Sequence, residues 1–294
     1  MHRLGRWRYT VAVYAPRSPE PLGNWLLSSS RAWQRWYAPG DTENQFAAQR
    51  SATAARASSW LGLQSADHDL ARNARIAGQW GSQIGHVMPT IHLDDHAFEL
   101  AGAQIRAWRQ TSKWLGATAI IGLAAATTAV KRYPPAAWAK AAAGLWNQRR
   151  MVCALVGGAS DAEQIEDVSL ALGRVPHLKM AGSLDLPAVS ALIGSLDGML
   201  SVDTGLAHIS QAQDVPTVVL VGGSHPGRFF PWPIERRATA LNQAMACQGC
   251  LGRCHLTQPE CVTRIDPEQI VAAMTELLQP RRRERETVPL RVAV

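Results

Sequence analysis

No stretch of this chain is apolar for long enough to cross a bilayer as a helix. The longest candidate, TAIIGLAAATTAV over 118–130, falls short of the roughly 20 residues a span needs and runs into Lys131 and Arg132. The first residues, MHRLGRWRYT, are basic but lack the apolar run and small-residue cleavage site of a signal peptide. The expected compartment is the cytoplasm, with peripheral contact at the inner membrane as the alternative. Acids are the scarcer charge: 23 Asp and Glu against 30 Lys and Arg give a net +7. That sign suits nucleotide phosphates, nucleic acid or an acidic membrane, without choosing among them. Part of it sits in Arg281, Arg282, Arg283 and Arg285, a run read as a solvated tail. Charged residues make only 18% against 47% hydrophobic ones, which excludes a disordered chain and leaves a globular one. Internal repeats and long low-complexity tracts are also missing.

What is present is long enough for two domains at 294 residues. From 113 onward short apolar runs alternate with helical ones, the pattern of βα units on a mostly parallel sheet. Strands are expected at 119–123, 151–156, 178–181, 199–202 and 217–221. Helices are expected from Pro134-Pro135 onward and over 161–172, 186–196, 204–215 and 267–278. The first 112 residues read less clearly, with a strand at 10–14 and helical stretches at 45–61 and 97–113. Several of the eleven Trp residues, Trp7, Trp25, Trp33 and Trp36 among them, crowd this region, and core packing or a partner surface accounts for them.

The segment most open to a chemical reading is SVDTGLAH at 201–208, where an apolar strand ends in Asp203-Thr204-Gly205 and passes into a helix. At such junctions unpaired backbone N–H groups and the helix dipole favour a diphosphate. Gly205 permits close backbone approach, and the Thr204 hydroxyl can donate to a phosphate oxygen. His208, one turn into the helix, would add a donor. Taken alone, His208 is better read as a packed helical histidine and Asp203 as a helix cap.

VDTGLAH followed by VPTVVLVGGS at 215–224 resembles glycosyltransferase family 9, the heptosyltransferases of lipopolysaccharide synthesis. Lys131-Arg132-Tyr133-Pro134 with Trp138 is similar to the family's Lys-Arg-Trp-Pro element and implies that Lys131 meets the donor diphosphate. Gly157-Gly158 with Glu163, and Met180-Ala181-Gly182-Ser183-Leu184, resemble the nucleotide-side turns. Gly157, Glu163, Met180, Ala181 and Ser183 are the candidates there. Gly222-Gly223-Ser224 stands where the family has Gly-Pro-Thr, so Ser224 would keep the phosphate hydroxyl without the stiffness of proline. With Lys131, Asp203, Thr204, Gly205, Leu206 and His208 it completes the implied diphosphate set. The resemblance implies an α/β, GT-B-like fold with a doubly wound donor domain at 113–280, an incomplete acceptor-side α/β domain at 1–112, and a basic tail at 281–294. The implied partners are a nucleoside-diphosphate sugar such as ADP-heptose and a lipopolysaccharide precursor or protein acceptor, with no nucleic acid. No Asp-x-Asp motif stands beside the diphosphate elements, so cationic side chains and helix N-termini, with no catalytic metal, are expected to stabilise the leaving group.

Cys247, Cys250, Cys254 and Cys261 form a C-x2-C-x3-C-x6-C knuckle, with Gly249 and Gly252 for tight turns. In a reducing compartment four such thiols suit a closed structural zinc or iron site better than disulfides. Some relatives, including transferases that heptosylate autotransporters, resemble this chain in carrying such a knuckle. Cys153 reads as a buried apolar residue.

One departure from the family stands out. The opening strand and glycine-aspartate loop that provide its general base are not found, and Asp41, Asp67, Asp69, Asp94, Asp95 and Glu99 are the acids available instead. An inverting glycosyltransferase and a non-catalytic nucleotide- or partner-binding module derived from one are therefore both carried forward. A nucleic-acid device built on the knuckle and tail lacks a reader helix and leaves the βα motifs unexplained.

Overall fold

A computed structural model of the protein describes residues 9–15, 21–38, 59–60, 68–81, 89–110, 116–180, 182, 184–233 and 236–279. The N-terminal part contributes β1 (Val11–Tyr14), helix α1 (Pro21–Ser29), β2 (Gln34–Tyr37) and β3 (Ser59–Trp60), paired in parallel in the order β1-β2-β3. Two helices follow, α2 (Asp69–Gly78) and α3 (Asp95–Arg109). The expected helix at 45–61 lies outside the described residues except at its end, where Ser59 and Trp60 pair with Trp36 and Tyr37 as a strand. Helical spacing alone could not see that pairing partner.

The larger sheet carries six parallel strands: β4 (Ala119–Ala124), β5 (Met151–Leu155), β6 (His177–Lys179), β7 (Gly198–Val202), β8 (Thr217–Leu220) and β9 (Ala238–Leu241). Their spatial order is β6-β5-β4-β7-β8-β9. The chain thus works outward from β4 to one edge, returns to its other side and works outward again. The strand order reverses between β4 and β7, the place where doubly wound folds bind ligands. The connecting helices are α4 (Pro135–Arg149), α5 (Ala162–Leu172), α6 (Leu186–Gly194) and α7 (Gly205–Ala212), with α8 (Glu260–Thr263) and α9 (Pro267–Leu277) after β9. The edge strand β9 and the helices α1, α2 and α8 had no clear pattern in the sequence. Sequence expectations for the other strands and helices of this unit hold to within a few residues at each end.

β4, β5 and β7 are buried on both faces, so they read as continuous apolar runs. One face carries Trp138, Leu145, Ile165, Ile270 and Met274; the other carries Leu192, Ile193 and Met199 together with Ala97, Ala101 and Trp108 of α3. A helix from the N-terminal part therefore closes one face of this sheet, packing on α6. Pro135 begins α4 where a missing N–H costs nothing, and Arg150 ends it in the left-handed region at φ 55°.

The loop between β4 and α4 is pinned at its far end. Tyr133 is buried, its hydroxyl donates to the Ile265 carbonyl at 2.6 Å, and its ring meets Trp138 edge-on at 4.9 Å. Burial, with Asp266 nearby, pushes the Tyr133 hydroxyl up to about 12. We expect Trp138→Ala to cost about 3–5 kcal/mol of stability and Tyr133→Phe about 1 kcal/mol. Both are checked by denaturant unfolding; equal, negligible losses would mean that these side chains do not hold the loop.

Candidate functional site

Two loops leave the sheet at the reversal point, one after β4 and one after β7, and their side chains meet. Lys131 ends a short 3-10 turn, Ala129–Lys131, and its ammonium lies 2.8 Å from the Asp203 carboxylate and 3.2 Å from the Asp203 carbonyl. Residues 72 positions apart are joined because β4 and β7 are hydrogen-bonded neighbours. Asp203 is nearly buried, whereas the Lys131 side chain keeps 24% exposure. An ammonium has three donors. Asp203 accepts from two of them, through its carboxylate and its carbonyl.

Thr204 is the N-cap of α7 in extended conformation, and its side chain makes no cap hydrogen bond. Its hydroxyl instead lies 3.3 Å from the Ser201 hydroxyl. Asp203 does not cap the helix either, being held by Lys131. The first turn of α7 therefore presents backbone N–H groups without a side-chain acceptor, the condition for anion binding. Gly205 is exposed, and a Cβ placed on it would meet nothing within 4 Å. The space beside it is open to a ligand. Leu206 is half-buried, packed against the core cluster of α3 and α6.

His208 stacks on Phe230 at 4.4 Å and on Trp232 at 5.9 Å between ring centroids. The Trp232 indole donates to His208 Nδ1 at 3.2 Å. An indole N–H can only donate, so Nδ1 carries the lone pair and, in the neutral ring, Nε2 carries the proton. Nε2 lies 3.9 Å from the Asp203 carboxylate. Burial lowers the His208 pKa, with Asp203 and Asp69 acting against that shift and His68 and Lys131 with it. The imidazole thus offers a donor to the crevice without a charge.

The remaining residues singled out in the sequence fall elsewhere. Gly157 is buried and its carbonyl accepts from Gly182 N–H at 3.0 Å; a Cβ there would press on Ile165 at 2.7 Å. Glu163 is exposed in the first turn of α5, and Met180 is buried in the core. Ala181 and Ser183 lie outside the described residues. Ser224 is nearly buried, with His225 Nδ1 3.1 Å from its hydroxyl.

Cys247, Cys250, Cys254 and Cys261 line one cavity of about 20 Å³ against Gly223. The donor set suits a thiophilic metal, and Gly249, Leu251 and Gly252 turn the segment at positive φ. Among the described residues, however, no three His, Cys, Asp or Glu side chains are drawn together as a metal-binding group. Cys153 is buried in β5, and burial pushes its thiol up to about 12, in keeping with an inert packed residue.

One part of the site was missed in the sequence. A cavity of about 290 Å³ adjoins His208 and Phe229, and its far wall is His68, Asp69 and Leu70 at the start of α2. His68 Nε2 bonds the Phe229 carbonyl at 2.9 Å, and Asp69 N–H donates to the Arg228 carbonyl at 3.0 Å. Asp67-His68-Asp69 does spell Asp-x-Asp, far from the diphosphate elements in sequence. The fold brings its last two residues beside them; Asp67 is outside the described residues, as is Asp41. Asp94 caps α3 by accepting from Ala97 N–H at 2.9 Å, and Asp95 and Glu99 lie exposed on that helix. Of the acids considered, Asp69 alone borders the cavity.

Comparison with known proteins fits this picture. The sequence profile of glycosyltransferase family 9 (heptosyltransferase) matches residues 61–259. Lipopolysaccharide heptosyltransferase 1 of Pseudomonas aeruginosa is 25% identical over 181 residues, 55% of this chain and 49% of that protein. The chain thus spans about half the length of this curated relative. Among solved structures, E. coli ADP-heptose lps heptosyltransferase II matches with a TM-score of 0.62 at 19% identity, over 92% of this chain and 76% of that one. A family 9 glycosyl transferase from Veillonella parvula matches with 0.66 at 17% identity, over 90% and 73%. These structures share the fold, a GT-B α/β architecture.

The lowered His208 pKa makes a pH prediction. Because the folded state favours the neutral ring, its contribution to stability is complete above the ordinary value of 6.5 and is lost as pH falls from there through the lower folded value. Unfolding followed from pH 7.5 to 5 should show a steeper loss for the wild type than for His208→Phe. Parallel curves would contradict the assignment.

Proposed function

The chain belongs to glycosyltransferase family 9, and from that premise we propose that it transfers a sugar, heptose first among the candidates, from a nucleoside-diphosphate donor such as ADP-heptose to a lipopolysaccharide precursor or a protein hydroxyl. The observation that carries this reading is the Lys131–Asp203 contact at the strand reversal, beside the uncapped N-terminus of α7. In this proposal the donor diphosphate lies against the first-turn N–H groups of α7, Thr204 and Lys131, and Ser224 adds a hydroxyl. Asp203 is an anion and would repel the diphosphate directly. Its part is to hold Lys131, and to face His208, whose Nε2–H donates to the leaving group. The segment 113–280 would act as the donor unit, with Gly157, Glu163, Met180, Ala181 and Ser183 on its nucleotide side.

For inverting transfer, a carboxylate takes the acceptor hydroxyl's proton as its oxygen bonds to the anomeric carbon and the bond to the diphosphate breaks. Asp69 is the acid we assign to this step, on its place beside the cavity shared with His208; its carboxylate lies 3.6 Å from the Arg228 guanidinium and would have to turn from that partner to reach the acceptor. Proximity to the leaving group is supplied by the same wall, since Phe229 lies against both the cavity and Lys131, 5.8 Å from the ammonium to the ring centre. A location at the cytoplasmic face of the inner membrane belongs to this reading, because a lipopolysaccharide precursor is carried there.

Donor binding and turnover test the proposal together. Gly205→Ala should leave stability unchanged or raise it by about 0.5–1 kcal/mol, since Ala suits a helix better, yet weaken ADP binding about tenfold by filling the diphosphate space. Lys131→Ala should weaken ADP more, and Asp69→Asn should lower kcat on the order of a hundredfold with ADP affinity retained. If ADP binds tightly but no nucleotide sugar is turned over with any acceptor, the non-catalytic module is the correct reading. If Lys131→Ala leaves ADP affinity unchanged, both readings fail.

We further infer that the knuckle cysteines hold one structural zinc or iron ion per chain, which when bound would cross-link the 247–261 segment. Elemental analysis of the purified protein should find it, and Cys250→Ser should lose the metal and lower the melting temperature. Metal-free protein with an unchanged melting curve would refute this.

A further inference from the structure

The run Phe229-Phe230-Pro231-Trp232, in the loop between β8 and β9, puts three aromatic side chains within four residues. Phe230 and Trp232 are buried and pack with Ala207 of α7 and Val219 of β8. His208 follows Ala207 on the helix, and its ring is drawn into the same cluster. It lies nearly parallel to Phe230, at 17°, and to Trp232, at 22°, while Phe229 meets it edge-on at 6.2 Å. A phenylalanine at 232 would stack as well. What the tryptophan adds is the bond from its N–H to His208 Nδ1.

That bond selects both the orientation and the charge of the imidazole. Turned over about its Cβ–Cγ bond, the ring would face the indole N–H with a carbon. Protonated, it would carry N–H groups on both nitrogens, and Nδ1–H would meet the indole donor to donor. Either change leaves a buried N–H unpaired, which costs more than the bond itself contributes. The neutral form matters because of what stands on the other side. Asp203 gives one carboxylate oxygen to Lys131 at 2.8 Å, and its other oxygen faces His208 Nε2 at 3.9 Å, beyond hydrogen-bond reach. An imidazolium would close that gap and compete with Lys131 for the acid. Burial opposes a charge on the ring, as do His68 and Lys131; Asp203 and Asp69 favour one, and Asp69 also faces Arg228 at 3.6 Å. The surrounding charges thus pull both ways, whereas the indole pulls only one way.

We propose that Trp232 is a positioning residue of the donor site: its indole N–H locks His208 as the uncharged Nε2–H form, so that the Asp203 carboxylate stays with Lys131 and Nε2–H stays free to donate. Trp232 itself touches no substrate and acts through His208. The proposal rests on the transferase reading for what Nε2–H meets, a phosphate oxygen of the leaving nucleoside diphosphate. The lock on the ring belongs to the free protein and needs neither nucleotide nor turnover.

Imidazole nitrogen NMR of the full chain without nucleotide reads the lock directly, the His208 signals being those lost in His208→Gln. The wild type should show the Nε2–H form and titrate below the ordinary value of 6.5. Trp232→Phe, which keeps an aromatic ring in the stack, should give both neutral forms and raise the titration midpoint by about one pH unit. In calorimetry with ADP at neutral pH, Trp232→Phe should weaken binding about threefold, since only part of the rings still donate. Glutamine sets an uncharged N–H near the place of Nε2, so in the His208→Gln background Trp232→Phe should leave ADP affinity unchanged. The proposal is overturned if the wild type shows the Nδ1–H form, or if Trp232→Phe leaves the form and the midpoint as they were. It is overturned equally if Trp232→Phe weakens ADP binding as much in the His208→Gln background as in the wild type, which is what a purely structural tryptophan would do. If the wild type binds no ADP, the transferase reading fails while the nitrogen spectra still decide the lock.

Discussion

The contact between Lys131 and Asp203 organises the rest of the molecule. An ammonium and a carboxylate at 2.8 Å, with the acid almost out of water, form a pair whose desolvation offsets much of its attraction. Such a pair is weak support for stability, so its value lies in where it puts the ammonium. Two strands that are neighbours in space but distant in sequence must both be in register to bring it about. Trp138 and Tyr133 fix one arm, and the buried strand β7 fixes the other. The core therefore serves as a jig for one positive charge. His208 adds to it without adding charge, because its aromatic cage favours the neutral ring and the Trp232 indole settles which nitrogen keeps the proton.

The N-terminal part is built into the same packed unit as the large sheet. It closes one face of the large sheet through Ala97, Ala101 and Trp108. It also delivers His68 and Asp69 to the wall opposite His208, clamped by bonds to the Phe229 and Arg228 carbonyls. The same short segment 228–232 contacts both Lys131 and α2. Movement of α2 would thus be felt at Lys131 through one aromatic ring.

How much of this was legible in the sequence depended on range. The sheet of βα units could be read because strands buried on both faces are unbroken apolar runs and their helices carry caps and prolines; 119–123 and 217–221 differ from the observed strands by only a residue. SVDTGLAH could be read as a strand-turn-helix junction for the same local reasons. That Lys131 would stand beside it came from the family resemblance, not from spacing. Asp69 could not be distinguished from five other acids, because its meaning comes from a cavity formed with residues some 140–160 positions away. The strand at Ser59–Trp60 was hidden in an apparent helix because a two-residue pairing leaves almost no periodicity. Edge strand β9 was missed for a related reason: ATAL is half-exposed and carries no apolar signature.

The departure at Gly222-Gly223-Ser224 shows how one substitution can be answered by another part of the chain. Where the family resemblance implies a proline, the knuckle stands close behind the loop. A Cβ on Gly223 would meet the Gln248 side chain at 3.2 Å and Cys261 Cβ at 3.6 Å, so any side chain there packs tightly against the knuckle. In exchange, Gly249 N–H donates to the Gly223 carbonyl at 2.7 Å and Leu251 N–H to the Ser224 carbonyl at 3.1 Å. Two backbone bonds from a tightly turned segment restrain the loop where a ring would otherwise restrict φ. The knuckle thus braces this loop through its own backbone, at the residues on either side of the Gly223–Ser224 peptide.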